Sequence, residues 1–377
     1  MKKKRVLNFC NGVVSFNVER MKYTSSEYDH YVADKYCPKV FKSEGNYIER
    51  ITQKRLPNKV NIFLLELVGL WCMIHHLYSK SFKRSDIVHL SFIEPFYLFI
   101  LPFLKRKKLI VSVFGSDFYR FRFFNIIRYP LYKRANIITF SSKQTLKDFS
   151  DYYNKIPKEK YRLVRFGTDN FSEILKLSKD VSVEEAKRNM GFPLDKILVV
   201  VGINGIPIAQ HLLILESIAK LPRTLKNKIH IVVPASSLVG NSDKYLKKVR
   251  QAIHQTGVSG DIFQEWLTSK QMAYFRKSSE ILINLPKTDQ FSASMTETLV
   301  CGNIVVTGSW LPYNELYESG VKMEVVEDVS SVNEVLNYIV ENKDFYFLNC
   351  AKNIPLIPPF VSWGFVKEDW NNLYLEV

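Results

Sequence analysis

"EILINLPKTDQFSASMTETLVCGNIVVTG", residues 280–308, holds one complete crossover unit. The apolar run at 281–285 is too short for a helix and reads as a buried strand. Pro286, Asp289 and the small residues at 292–294 interrupt it. "SASMTETL" then takes helical spacing, Cys301-Gly302 turns the chain, and "IVV" starts a second strand. Strand, helix and strand in that order build a parallel pair. Two acids sit inside it, Asp289 in the loop and Glu297 about one turn into the helix. In open parallel sheets, ligands bind beyond the carboxyl ends of the strands. A helix start adds unpaired N–H groups and partial positive charge, which suit a phosphate. Small Ser292, Ala293 and Ser294 let a ligand approach the backbone. The competing local reading is a capping box: in "SMTE", Ser294 caps the helix and Glu297 reaches back to it.

The same alternation extends in both directions. Strand-like runs stand at "KRVLNFC", 86–92, 109–115, 136–142 and 161–167, then at 196–202, 228–234, 261–266, 280–286, 302–308 and 321–327. Helical patterns such as "AQHLLILESIAKL" and "DKYLKKVRQAIHQ" lie between them. The expectation is an α/β protein of two doubly wound, Rossmann-like domains facing a cleft. The first would span 1–170 and the second 171–360, with "GFPLDK" as turn chemistry ahead of the second domain's first strand. Residues 361–377 read as a helix with aromatics on one face, packing back on the first domain.

Length and composition agree with this division. At 377 residues the chain exceeds what one core usually serves. With 46% apolar residues it is globular rather than disordered. Cys10, Cys37, Cys72, Cys301 and Cys350 lack disulfide-framework or zinc spacing and suit a reducing cytoplasm. The start, "MKKKRVLNFCNGVV", has a signal-like basic end, but Asn8, Asn11 and Gly12 break its apolar part, so a first strand is expected. "NIFLLELVGLWCMIHHLY", residues 61–78, is the most apolar window and is expected to be a buried helix rather than a membrane span. Charge is uneven. Residues 1–170 hold 32 Lys and Arg against 14 Asp and Glu (+18), whereas 171–377 hold 21 against 23 (−2). The first half alone invites an anionic partner, a membrane surface or nucleic acid.

Residues 278–308 resemble the donor-site segment of family 4 glycosyltransferases of the GT-B fold. Asp289 and Glu297 match its acid-x7-acid spacing, with Asp in place of the usual first Glu. "VEEAKRNMGFPLDKILVVVG", "LTSKQMAYFRKSSEILINLP", "VRFGTD", "DIVHLSF" and "VFGSD" resemble further family segments in the family's order, over most of 86–320. A weaker resemblance, carried by "VFGSDFYR", "RYPLYKR", "GINGIPIAQH" and "HIVVPASS", is to the transferases of 4-acetamido-4,6-dideoxygalactose in enterobacterial common antigen synthesis. The resemblance implies a donor site. Glu297 would bind the ribose of a sugar nucleotide, and Asp289 would lie near the donor sugar in a catalytic role. Backbone N–H groups around Gln290, Phe291, Ser292, Ala293 and Ser294 would hold the diphosphate. It also implies a mostly retaining reaction without metal. No DxD-type metal motif and no bound cofactor is expected, the nucleoside-diphosphate sugar serving as co-substrate. Replacing Glu297 by Ala should then abolish turnover and leave the fold intact. One departure stands out: the family's Arg after the glycine of "VVVG", and its Lys a few residues on, are Ile203 and Gln210-His211 here. His211 and Lys287 are candidates to replace that cationic clamp, and Gly202, Asn204 and Gly205 form a loop that can approach phosphate.

In the first half, Asp117 of "FGSD" is a candidate to orient or deprotonate the acceptor, or to cap the next helix. His89 is read as a core residue or a catalytic one. "FLKRKK" and "YRFRFFNIIRYPLYKR" interleave cations with aromatics, which suits a lipid headgroup layer. Lys105, Arg106, Arg120, Arg122, Arg128, Lys133 and Arg134 would face it. The alternatives are a solvated face or base stacking. The expectation is a glycosyltransferase at the inner membrane face that extends a lipid-linked saccharide in bacterial surface polysaccharide assembly, with no nucleic-acid partner. The competing readings are a nucleic-acid-binding protein and a non-catalytic GT-B domain.

Overall fold

The structure, a computed structural model, describes residues 3–10, 15–34, 40–42, 62–119, 124–236 and 243–377. The chain divides into two compact units, residues 1–168 with 363–377, and residues 169–362.

The first unit is built on a seven-stranded sheet ordered β3-β2-β1-β4-β5-β6-β7. Its strands are β1 (Lys4–Cys10), β2 (Tyr28–Asp34), β3 (Val40–Lys42), β4 (Ile87–Ser91), β5 (Lys108–Val113), β6 (Ile137–Phe140) and β7 (Tyr161–Leu163). All neighbours are parallel except β3, which runs antiparallel on β2. β2 and β3 are absent from the sequence reading, because "YDHYVAD" and "VFK" lack the apolar run that marked the other strands.

Side chains alternate between the sheet faces with period two. Leu7, Phe9, Val88, Leu90, Leu109, Val111, Ile138 and Phe140 enter one core. Val6, Ile87, Ile110 and Ile137 enter the other, which the helix Trp363–Leu375 covers with Trp363, Trp370 and Tyr374. Farther along the same face the strands turn polar, at Asn8, His89, Ser112 and Thr139, all buried. The buried Arg20, from the helix Ser15–Tyr23, completes this row. Its guanidinium donates to Asn8 Oδ1 (2.9 Å), to His89 Nδ1 and to the Tyr374 hydroxyl. His89 Nε2 meets Ser112 Oγ at 2.7 Å, and Ser112 meets Thr139 at 2.6 Å. Among the described residues, no carboxylate hydrogen-bonds Arg20.

The apolar window at 61–78 holds the helix Ile62–Leu77, and over residues 67–77 only one side of it is buried. Cys72, Met73, His76 and Leu77 pack inward, while Leu67, Val68, Trp71, Ile74 and Tyr78 are exposed. The expectation of a buried helix is therefore corrected. A uniform apolar run does not say which face the sheet covers. No helix among the described residues is long and apolar enough to cross a membrane.

The second unit carries six parallel strands ordered β10-β9-β8-β11-β12-β13. These are β8 (Ile197–Val201), β9 (Ile229–Pro234), β10 (Ser259–Phe263), β11 (Ile281–Asn284), β12 (Ile304–Gly308) and β13 (Glu324–Val326). Both faces are covered, as parallel sheets require. Val199, Val201, Ile281, Ile283, Ile304 and Val306 enter one core. Leu198, Val200, Leu282 and Val305 enter the other. Strand order reverses between β8 and β11, so the loops following these two strands flank the unit's topological switch point.

Candidate functional site

The loops after β8 and β11 are locked together by main-chain bonds. Gly202 N–H donates to Ile283 O, and Lys287 N–H to Ile208 O, both at 2.9 Å. Gln210 Nε2 donates to Leu285 O at 2.8 Å. Gly202 and Gln210 both take left-handed backbone, with φ of 72° and 58°. At Gln210 this swings the chain into the helix His211–Ile218. Gly202, Asn204, His211 and Lys287, all singled out in the sequence, thus meet at one end of the sheet.

His211 is fully buried, and its Nδ1 lies 3.1 Å from the Tyr245 hydroxyl. Burial pushes its pKa down to about 4, with the neighbouring Asn204 backbone only partly offsetting this. It is therefore a neutral support beneath the loop, and the idea that it supplies the missing cation is corrected. Its Nε2 and the Asn204 Oδ1 are buried with no hydrogen-bond partner among the described residues. Lys287 is exposed and is the cation this loop pair offers.

A Cβ on Gly202 would lie 2.6 Å from His211 Nε2. Gly202→Ala therefore adds a collision to left-handed strain of about 1–2 kcal/mol. Gly191 has the same φ of 72°, but a Cβ there would meet nothing within 4 Å, so Gly191→Ala adds strain alone. Nucleotide titration should show at least about tenfold weaker binding for Gly202→Ala, roughly 1.4 kcal/mol, and an unchanged affinity for Gly191→Ala. Equal affinities would remove the loop from the site.

Asp289 stands in a polar cluster at the end of β11. The Tyr313 hydroxyl donates to its Oδ2, Gln290 N–H donates to its Oδ1 at 2.7 Å, and Asn284 Nδ2 donates to Tyr313 at 3.1 Å. Burial raises its pKa, against the opposing pull of these donors. Beyond it, Phe291 stacks on Phe360 with centroids 6.0 Å apart. Ser292 caps the helix Ala293–Leu299 by accepting from Met295 N–H at 3.2 Å.

This corrects the capping box, because Ser292 takes the cap and frees Ser294 and Glu297 for another partner. Arg276, from the helix Ser269–Ser278, donates Nε to Glu297 Oε2 (2.9 Å) and Nη2 to Ser294 Oγ (2.7 Å). Both members of the ion pair are about 6% exposed at the side chain. Glu297→Ala would strand a buried guanidinium, so the expectation of an intact fold is corrected too. Arg276, Tyr313, Asn284 and Tyr245 were not singled out in the sequence. Each belongs to an ordinary helix, strand or loop pattern, and only the tertiary contacts give it a partner at the site.

In the first unit, Asp117 is buried and its carboxylate is engaged twice, accepting from Ile93 N–H (2.9 Å) and Phe114 N–H (3.0 Å). It ties together the segments that follow β4 and β5. Burial pushes its pKa up to about 6, opposed by those two amides and by the Arg128 charge. A raised carboxyl pKa favours the folded state below the unfolded value, and that contribution is lost as pH rises through the folded one. Relative to Asp117→Asn, the wild-type unit should lose about 2 kcal/mol between pH 4 and pH 6. His30 and His89, held neutral by burial and then by the Arg20 charge, titrate in both proteins. Denaturant unfolding at stepped pH would isolate Asp117; a difference independent of pH would contradict its raised pKa.

His89 lies wholly within the Arg20 row and serves the core. Among the residues expected to face a membrane, Lys105, Arg106 and Lys133 are exposed, whereas Arg128 is buried and donates to Asn125 Oδ1 at 3.0 Å. That places Arg128 inside the unit, a correction to the sequence reading. Arg134 Nη2 is spent on the carbonyls of Leu104, Lys105 and Lys107. Arg120 and Arg122 lie outside the described residues. Among the described residues, no group of three His, Cys, Asp or Glu side chains is placed to hold a metal ion.

No protein-family model matches the chain, and no curated protein sequence matches it significantly. Solved structures do match over its whole length. Anabaena HepE in complex with UDP is 14% identical, with complete coverage of both chains and a TM-score of 0.70. A glycosyltransferase from Rickettsia africae is 12% identical over 100% of this chain and 99% of that one, with a TM-score of 0.73. Sucrose-phosphate synthase from Thermosynechococcus elongatus is 10% identical over 99% of both chains, with a TM-score of 0.74. At these identities the likeness establishes architecture: the chain has the two-unit GT-B fold.

Proposed function

We propose that the chain is a glycosyltransferase that binds a nucleoside-diphosphate sugar on its second unit and transfers the sugar to a lipid-linked saccharide. The observation that carries this reading is the loop pair at the β8/β11 switch point. It joins a left-handed glycine, a helix start, buried polar atoms without partners among the described residues, and an exposed lysine. Backbone N–H groups and Lys287 would meet the diphosphate, with His211 and Tyr245 holding the loop in shape. Asp289, oriented by Tyr313 and Gln290, would face the donor sugar. The structures of HepE with UDP and with UDP-glucose support a donor of this class.

The setting we infer is bacterial surface polysaccharide assembly at the inner membrane face, with retention of configuration and no metal requirement. A panel of labelled nucleotide sugars incubated with extracted bacterial lipid carriers tests it, with and without EDTA. Label entering the lipid phase, with the donor's anomer kept in the product by NMR, is the expected result. A second reading, a GT-B domain that binds without catalysing, is favoured by Ile203 and the neutral His211 standing where the family's cations stand. Donor binding without transfer to any carrier would favour it.

A further inference from the structure

The helix Ile62–Leu77, the 3-10 helix Pro95–Leu104 and the helix Phe124–Arg134 form one layer over the first unit's sheet. Met73 and Leu77, Tyr97, Ile100 and Leu104, and Leu131 and Tyr132 share a single core there. The outward side of that layer remains apolar. Trp71 is 58% exposed, Phe99 61% and Ile126 70%, and Leu67, Ile74, Tyr78 and Phe103 are exposed with them.

A basic edge borders it. Lys80, Lys83 and Arg84 follow the apolar helix, and Lys105, Arg106 and Lys108 follow the 3-10 helix; all six are exposed. Two internal contacts hold this edge together. Lys107 Nζ donates to Lys83 O (3.1 Å) and Ser85 O (2.8 Å), and Arg134 grips the carbonyls at 104, 105 and 107. Arg84 also lines a cavity of about 310 Å³ with Lys3, Lys4, Arg5 and Asp86.

We propose that this face is the protein's seat on an anionic bilayer. The helix Ile62–Leu77 would lie in the plane of the interface, with Leu67, Trp71 and Ile74 in the headgroup and acyl boundary and the basic edge against lipid phosphates. Its 16 residues are fewer than the roughly 20 a span requires. Charge selects the occupant: a second copy would set one basic edge near another, whereas an anionic bilayer satisfies the apolar strip and the cations together. The inference deepens the lipid-linked acceptor reading and gives the helix a role that the sequence assigned to the core.

Full-length protein should co-sediment with phosphatidylcholine vesicles holding about 30% phosphatidylglycerol, and poorly with phosphatidylcholine alone. About 0.5 M NaCl should weaken the association. The combined variant Leu67→Ser, Trp71→Ser, Ile74→Ser should lose at least about tenfold in partitioning. Its unfolding midpoint and its response to nucleotides should stay unchanged. Lys105→Glu with Arg106→Glu should lose binding to the anionic vesicles. No association with those vesicles, or equal association of the triple variant, would overturn the proposal. So would a concentration-dependent dimer that the triple variant dissolves. If vesicles bind but no nucleotide does, the surface stands and the donor-site reading falls.

Discussion

Arg276→Met should destabilise the second unit by about 3–5 kcal/mol, the cost of leaving a buried carboxylate without its partner. Arg276 and Glu297 form a buried pair at 2.9 Å, and the same guanidinium holds Ser294 at the start of the helix Ala293–Leu299. In a unit of this size the loss corresponds to a fall of roughly 6–20 °C in midpoint. Glu297→Leu combined with Arg276→Met should recover most of it, since an apolar pair can replace a buried ion pair. Thermal unfolding of the single and double variants decides this; a single variant with the wild-type midpoint would show the pair to be dispensable. The consequence for function is direct. Loss of activity in Glu297→Ala cannot by itself assign Glu297 to a ribose, because the same change strands Arg276. Comparing affinities for a nucleoside diphosphate and for pyrophosphate in Glu297→Gln separates the two roles, since pyrophosphate has no ribose to lose.

The second large effect is expected at Arg20. Arg20→Leu removes the donor shared by Asn8, His89 and Tyr374, all buried; His89 and Tyr374 keep their mutual bond at 2.9 Å, but Asn8 Oδ1 loses the guanidinium. The combined cost is about 3–5 kcal/mol. Arg20 also lies over the Trp370 ring, 5.2 Å from its centroid, so the loss falls on the helix Trp363–Leu375 as well as on the sheet. Hydrogen exchange should show that helix opening far more readily in the variant. Tyr374→Phe, which removes one hydroxyl and keeps the ring packing, should cost only about 1 kcal/mol. Equal exchange in Arg20→Leu and wild type would mean that the aromatic packing alone fastens the helix.

Both examples mark the border of what could be read from the chain. The strands of the second unit were legible because a parallel sheet buried on both faces needs unbroken apolar runs such as "ILVVV" and "ILIN". β2 was not legible, because its inward positions include Tyr28 and His30, polar groups that the Arg20 row and the covering helix make acceptable. The loop after β11 and the helix it opens were legible through small residues and two acids at fixed spacing. What those acids do was not, since Asp289 takes its orientation from Tyr313, 24 residues on, and Glu297 its partner from Arg276, 21 residues back. His211 read as a possible cation because the sequence carries no measure of burial. Lys287, in the same loop pair, lies at the surface. Arg128 read as a surface cation for the same reason, within an otherwise basic and aromatic stretch.

The central claim is that the loops after β8 and β11 bind a nucleoside diphosphate. Its most direct test is the unfolding midpoint of the intact protein with UDP, GDP, dTDP and CMP in turn, with and without Mg²⁺. A ligand that binds only the folded protein must raise the midpoint, by about 2.7 kcal/mol of stabilisation at a hundredfold excess over Kd. The account predicts a rise with one nucleoside diphosphate, independent of metal and clearly smaller in Gly202→Ala. No rise with any of the four, or a rise that Gly202→Ala leaves unchanged, would contradict it.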